Sequence, residues 1–306
     1  MSTGRLALDR EFWRKRRRRF TARAIDRATG LIGANPRLRG LALRALLDQH
    51  LAPGTLCLVP FGDHALYVNP RDDKMSLKLM AGRCWQRREL DAAISALEHV
   101  GSLKAGGLFV DVGANIGVHS IYALSSGAFD GALAIEPEPN NFSLLERNIR
   151  LNGLEQRIAA IQAAASTCSG QLQLMRHRRN HGAHSVEGTF VKHASDSVSV
   201  AALSLDDILA RQSISAADVA LVKIDVEGHE LAVLEGMHNV RQASVPIMIE
   251  LTAYRDDPGR LRRFKDLLAP QYDRVLDLTD EEDGSNASIP LADLSWRASQ
   301  VDLLVY

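Results

Sequence analysis

Two stretches of the chain combine residue types and spacings that could do chemistry. In VKIDVEGHE, residues 222–230, Asp225, Glu227 and His229 alternate behind the apolar run VALVKI, and Glu250 lies near the end of another apolar run, VPIMIEL. Carboxylates and an imidazole gathered at one edge can take the proton from a hydroxyl group, which is general-base chemistry. The same groups, some or all of Asp225, Glu227, His229 and Glu250, could instead hold a divalent metal that lowers the pKa of a bound hydroxyl. A third use is structural, since Glu227 would be favoured by the positive end of the helix it precedes. No spacing here selects one metal, and the candidates for base are Asp225, Glu227 and His229.

The second stretch is FVDVGANIGVHS, residues 109–120. An apolar run ends at Asp111, and glycines follow at Gly113 and Gly117, as in a strand that enters a tight turn and then a helix. Ligands bind there in a doubly wound sheet. A dinucleotide site needs a glycine pattern that brings backbone amides against a pyrophosphate, and Asp111 would repel that anion. The pattern suits a ligand with an ammonium group and no phosphate. S-adenosylmethionine is such a ligand. Gly113 and Gly117 would let the backbone pass close to its methionine portion. Glu136 stands 25 residues beyond Asp111, at the end of the apolar run ALAIEPE, where an acid can accept both ribose hydroxyls. Gln162, after the run RIAAI, is placed to meet the adenine edge or solvent. His119, His181 and His184 are weaker candidates for proton transfer.

The elements that must position these residues alternate from Leu108 onward. LFVDV, ALAIEPE, RIAAIQAA, VALVKIDV and VPIMIEL read as strands buried on both faces. IGVHSIYALSSG, NNFSLLERNIRLNG, GHELAVLEGM and PGRLRRFKDLLA read as helices, the second starting at Asn140 or Asn141 and stopping at Asn152-Gly153. DRVLDLT and QVDLLVY have no helix between them, which predicts an antiparallel hairpin at the sheet edge. The fold expected is α/β: a doubly wound, Rossmann-like, mainly parallel seven-stranded sheet with an antiparallel C-terminal hairpin. Residues 167–203 depart from the alternation and predict an excursion of short strands and a loop. SLDDILA opens a helix with Ser204 and Asp207 spaced as a capping box. A mostly helical N-terminal region, 1–105, is expected before a domain at 106–306. It carries a short hairpin around Phe61-Gly62-Asp63 and the helices LRGLALRALLDQHL and CWQRRELDAAISALEHV.

The chain has 306 residues and balanced charge, with 37 basic and 37 acidic residues. No apolar run is long enough to span a membrane. The N-terminus lacks the apolar core of a secretory signal. Cys57, Cys84 and Cys168 are odd in number and far apart, which favours a reducing compartment, so a cytoplasmic location is expected. The first 30 residues hold ten basic and three acidic side chains, a net of +7. The run Arg14 to Arg19 could touch an anionic membrane, which would make the protein peripheral to it, or an anionic substrate; solvation is the plain alternative.

DVGANIG, AIEPEPNNFSLLERNIRLNG, LSLDDIL and VKIDVEGHELAVLEG, in that order, resemble the FkbM-type methyltransferases of the class I S-adenosylmethionine-dependent group, from about Tyr67 to the C-terminus. The resemblance implies O-methylation of a hydroxyl, often on a sugar, glycolipid or polyketide-type acceptor. It also implies that Asp111, Gly113, Asn115, Gly117 and Glu136 lie along the cofactor; Asp225 is a further candidate for binding it. Cys84-Trp85-Gln86 departs from a segment that is commonly acidic or holds a tyrosine. Two other readings compete. A nucleic-acid methyltransferase would suit the arginine run, but base-amine methylation usually relies on a proline-aromatic turn where this chain reads DVEG. A non-catalytic S-adenosylmethionine-binding module would not need acids at the reaction edge.

Overall fold

A computed structural model describes residues 49–52, 54–177, 180–187, 194–253, 257, 259–279, 287–296 and 300–306. The basic run and most of the first helix expected in the N-terminal region lie outside them. Two compact units divide between Thr55 and Leu56. No helix of the described residues is long and apolar enough to cross a membrane.

The unit from Leu56 to Tyr306 begins with a hairpin, β1 (Cys57–Pro60) and β2 (Ala65–Val68), then α1 (Met75–Met80) and α2 (Arg87–His99). The alternating series follows: β3 (Leu108–Val112), α3 (Val118–Ser126), β4 (Gly131–Ile135), α4 (Pro139–Leu151) and β5 (Ile158–Ile161). Next come β6 (Ala164–Ala165), β7 (Gly170–His177) and β8 (Ala194–Leu203), then α5 (Leu205–Arg211), β9 (Val219–Ile224), α6 (Glu230–Glu235), α7 (His238–Gln242) and β10 (Ile247–Thr252). The chain closes with α8 (Arg260–Leu268), β11 (Arg274–Asp277), β12 (Ile289–Pro290) and β13 (Gln300–Val305).

The main sheet has the order β12-β11-β13-β10-β9-β3-β4-β5. From β10 to β5 every neighbouring pair is parallel, while β13 runs antiparallel to both β10 and β11. This is the expected sheet and C-terminal hairpin, with the two-residue β12 as an eighth strand. The order reverses between β3 and β9: successive strands run outward to β5 on one side and to β10 on the other. In open α/β sheets the crevice at such a reversal is where ligands bind.

Strand alternation sorts the core into two layers. Phe109, Ala132, Ala134 and Leu221 face one cluster with Leu90 and Leu97 of α2, Ile121 of α3 and Leu145 of α4. Val110, Val112, Leu133, Ile135, Val222 and Ile224 face the other, with Leu205, Leu234, Val240 and Phe264 from α5 to α8. Leu66, Leu79 and Leu90 share the core of Phe109 and Tyr122, so the division expected after residue 105 falls inside one compact unit.

Three local differences have physical causes. The helix expected from Asn140 or Asn141 starts at Pro139, because proline is pre-set for the first helical position and the Glu138 carboxylate caps it by accepting from Asn141 N–H at 2.8 Å. The third expected strand breaks at Gln162, and Ala164–Ala165 crosses into a separate three-stranded sheet, order β6-β8-β7. The strands of the excursion, β7 and β8, are long: eight and ten residues. Ser204 caps α5, its Oγ accepting from Asp207 N–H at 3.0 Å, while the Asp207 carboxylate accepts from Ser169 Oγ at 3.1 Å, so half of the expected capping box forms.

Candidate functional site

The two glycines after β3 do different work. Gly113 has φ of +83°, and a Cβ there would lie 1.8 Å from the carbonyl oxygen of Asp225. Only glycine lets the turn after β3 touch the turn after β9. Gly117, at φ +88°, would drive a Cβ to 2.6 Å from Leu145 Cδ1, so it seats the start of α3 against α4. Between them Asn115 takes the left-handed conformation, φ 54°, and its backbone N–H donates to Glu136 Oε2 at 2.8 Å. Glu136 Oε1 accepts from Glu138 N–H at 2.8 Å. Burial pushes the Glu136 carboxyl up to about 8, against the pull of those two N–H groups.

These elements surround a cavity of about 880 Å³. Gly113, Asn115, Glu136, Asp225, Glu227, His229 and Glu250 line it. Asp111 and Gly117 do not, and neither does the exposed Gln162. Asp111 shares the strand face of Phe109 and points beneath α3, where Ser120 Oγ donates to its Oδ2 at 2.7 Å. Its Oδ1 lies 3.9 Å from Lys223 Nζ and is buried without a hydrogen bond. Gln162 occupies the break between β5 and β6, and the following residues, Ala163 to Ala165, take the lining position instead.

The acids at the reaction edge do converge. One carboxylate oxygen from each of Asp225, Glu227 and Glu250 lies within 4.8 Å of the others. The segment is not simply extended: Glu227 sits at φ 49° and Gly228 at φ 105°. Burial, then Asp225 and Glu230, push the Glu227 carboxyl up to about 8. Burial, then Asp225 and Asp302, hold Glu250 well above the usual carboxylate range. Gln86 Nε2 donates to Glu250 Oε2 at 3.2 Å, and Gln300 Nε2 donates to its other oxygen. A hard cation could be shared by these three carboxylates.

His229 stands apart from that group because both ring nitrogens are committed. Nδ1 is 2.8 Å from Glu187 Oε1, and Nε2 is 2.9 Å from Ser166 Oγ. These contacts orient the imidazole and hold it away from the three carboxylates. His119 lines the cavity with a buried, unpartnered Nε2, held neutral by burial and then by Lys223. His181 and His184 stack at 5.9 Å in a loop fixed over the cavity: Asn141 Nδ2 donates to His181 O at 2.9 Å, and His181 N–H donates to Asp72 Oδ1 at 3.1 Å.

Lys223 is the central residue that sequence reasoning missed. Its Nζ lies 3.1 Å from Asp225 Oδ2 and 3.9 Å from Asp111 Oδ1. Burial works against its charge, but Asp225 and Asp111 outweigh it and hold the ammonium above its ordinary range. The signal was present, since a lysine inside an apolar strand buried on both faces must meet a counter-charge. Also unforeseen is the opposite lip of the cavity, which presents Lys74, Lys78, Arg83 and Trp85.

The family model described as the methyltransferase FkbM domain matches residues 111–281, more than half of the chain. Hexuronic acid methyltransferase AglP of Haloferax volcanii is 29% identical over 144 residues, 47% of this chain and 55% of its own. Methyltransferase sdnD of Sordaria araneosa is 29% identical over 170 residues, 45% of this chain and 63% of its own. Both matches thus cover less than two thirds of the relative. Among solved structures, the methyltransferase FkbM from Methylobacillus flagellatus KT superposes with a TM-score of 0.45 at 16% identity, covering 88% of this chain and 59% of that one.

Proposed function

The chain belongs to the FkbM methyltransferase family, and from that premise we propose that it transfers a methyl group from S-adenosylmethionine to a hydroxyl oxygen of a sugar, glycolipid or polyketide-type acceptor. The names of the two curated relatives, one of them a hexuronic acid methyltransferase, support an oxygen acceptor on a small molecule or glycan.

The observation that carries the proposal is Glu136. Its carboxylate closes β4 beside the sheet's reversal point, lines the cavity, and is held by two backbone N–H groups. A carboxylate offers about four acceptor sites, so it can still receive both hydroxyls of a ribose. The neighbouring residues fit the same ligand. Asn115 Oδ1 lines that turn, buried and without a hydrogen-bond partner. Gly113 cannot carry a side chain, and the acid-rich wall favours a sulfonium and an ammonium over a phosphate.

S-adenosylmethionine supplies the electrophilic methyl group. The remaining work falls to the chain. Holding the reactants in place accounts for about 7–11 kcal/mol of such a barrier. The acceptor hydroxyl must lose its proton, and Glu227, pushed up to about 8 and backed by Asp225, is the group we assign to take it. Lys223 fixes Asp225 from below. His229 ties Ser166 to Glu187 behind them.

The test is titration calorimetry with S-adenosylmethionine. Glu136→Ala should weaken binding by roughly 1–3 kcal/mol, the cost of hydrogen bonds to a charged acceptor left unmade. Equal affinity in the variant and the parent would sink the assignment.

A further inference from the structure

We propose that the methyl acceptor carries a compact anion, a carboxylate or a phosphate, which docks against Lys78 and Arg83, beside Lys74, at the mouth of the cavity. This rests on the methyl-transfer reading and narrows its substrate class.

The three cations stand on one lip. Lys74 and Lys78 are four residues apart at the start and within the short helix α1, joined by Lys78 N–H to Lys74 O at 3.2 Å, and Arg83 follows in the turn before α2. All three are exposed and line the cavity. Like charges at this spacing repel. Among the described residues, no carboxylate lies within ion-pair distance of any of them. Elsewhere the chain pairs its cations: Arg87 with Asp63 at 2.8 Å, Arg176 with Asp196 at 2.6 Å, Lys223 with Asp225 and Arg260 with Glu230. This lip is therefore a local cluster of positive charge in a cavity whose other lining residues include the acids, and such a cluster attracts anions.

The lip is also built rather than frayed. Lys78 Nζ sits 4.5 Å from the centroid of the Trp85 ring, so its charge is steered by an aromatic face. Trp85 is half-buried against the core, and its backbone N–H reaches Tyr122 Oη at 3.5 Å. The next residue, Gln86, holds the lip to the acid cluster through Glu250. An acceptor bridging the two walls would thus place its hydroxyl at the acids and its anion at the cations. The carboxylate of S-adenosylmethionine is a single charge. We set Lys74, whose charge is felt at Glu227, against that carboxylate, which leaves Lys78 and Arg83 for the acceptor.

The experiment measures binding of methyl glucuronide, glucose 1-phosphate and methyl glucoside to the full chain saturated with S-adenosylhomocysteine, at low and high salt. At least one charged probe should bind about tenfold or more tightly than the glucoside, the range for one charge-assisted hydrogen bond. The preference should shrink in high salt. Which charged probe wins separates carboxylate from phosphate. Lys78→Gln/Arg83→Gln should erase the preference while S-adenosylhomocysteine affinity, which also reports folding, stays unchanged. Charged probes that bind no better than the glucoside overturn the proposal, as does a preference that survives in the double variant. Failure to bind S-adenosylhomocysteine would overturn the methyl-transfer reading instead, and the same probe comparison on the ligand-free chain would then decide what the lip binds.

Discussion

At the scale of single residues, burial raises carboxyls that line the cavity. Glu136 and Glu227 are each pushed up to about 8 from 4.5. A base must be ionised to act, so kcat/KM should rise with pH toward about 8 and level off above it. Glu227→Gln should lower turnover by about 10²-fold or more, the range for a lost general base, and change cofactor affinity far less. A pH–rate profile of both proteins checks this; full turnover in the glutamine variant would move the base to Asp225. If Glu227 is the base, His229→Ala should cost much less than Glu227→Gln, because the imidazole would then serve only to brace Ser166 and Glu187. The same shifts bear on stability. Between about 4.5 and 8 the folded chain binds more protons than the unfolded one, so the ligand-free protein should lose stability as pH rises through that window. Thermal unfolding at pH 5 and pH 8.5 should show a higher midpoint at the lower pH, with a smaller difference in Glu227→Gln. A midpoint that climbs from pH 5 to 8.5 contradicts the assignment.

At the scale of elements, the site exists because the turns after β3 and β9 meet. Asp225 N–H donates to Val112 O at 2.9 Å, and the carbonyl of Asp225 occupies the space a Gly113 side chain would need. Gly117 does the equivalent for α3 and α4. A residue larger than glycine there must hold φ near +88° and displace Leu145. Gly117→Ala should therefore destabilise the fold by roughly 1–3 kcal/mol, the cost of a non-glycine residue in that region, and should weaken cofactor binding with it. Urea denaturation gives the first quantity and calorimetry the second. An unchanged unfolding midpoint would mean that α3 and α4 part without cost.

At the scale of the whole molecule, every residue lining the cavity lies between Lys74 and Gln300, inside the unit that starts at Leu56. Removing residues 1–20, with the basic run, should leave S-adenosylmethionine affinity unchanged while lowering retention on vesicles containing anionic lipid. Calorimetry and vesicle sedimentation check the two halves of that expectation. Lost cofactor affinity would show that the N-terminal segment supports the site.

Much was determined by the sequence alone, because the signals are local. Unbroken apolar runs marked the parallel strands, Gly113 and Gly117 marked the turn, and Glu136 was legible as a strand-end acid beside it. Asp225, Glu227 and Glu250 were likewise legible as strand-end acids. Other decisions needed the tertiary structure, because they depend on distances between residues far apart in the chain. Strand alternation near Asp111 could be counted, but only the packing of α3 and Lys223 showed that its carboxylate is sealed under the helix. Gln162 fell out of the site when the strand broke and crossed to another sheet. His229 was spent on Ser166 and Glu187, neither of which its neighbours in sequence foretell. The cationic lip comes from a helix and a turn more than a hundred residues before the acids it faces. Burial, which raises the carboxyls of Glu136 and Glu227, belongs to the assembled layers and to no segment by itself.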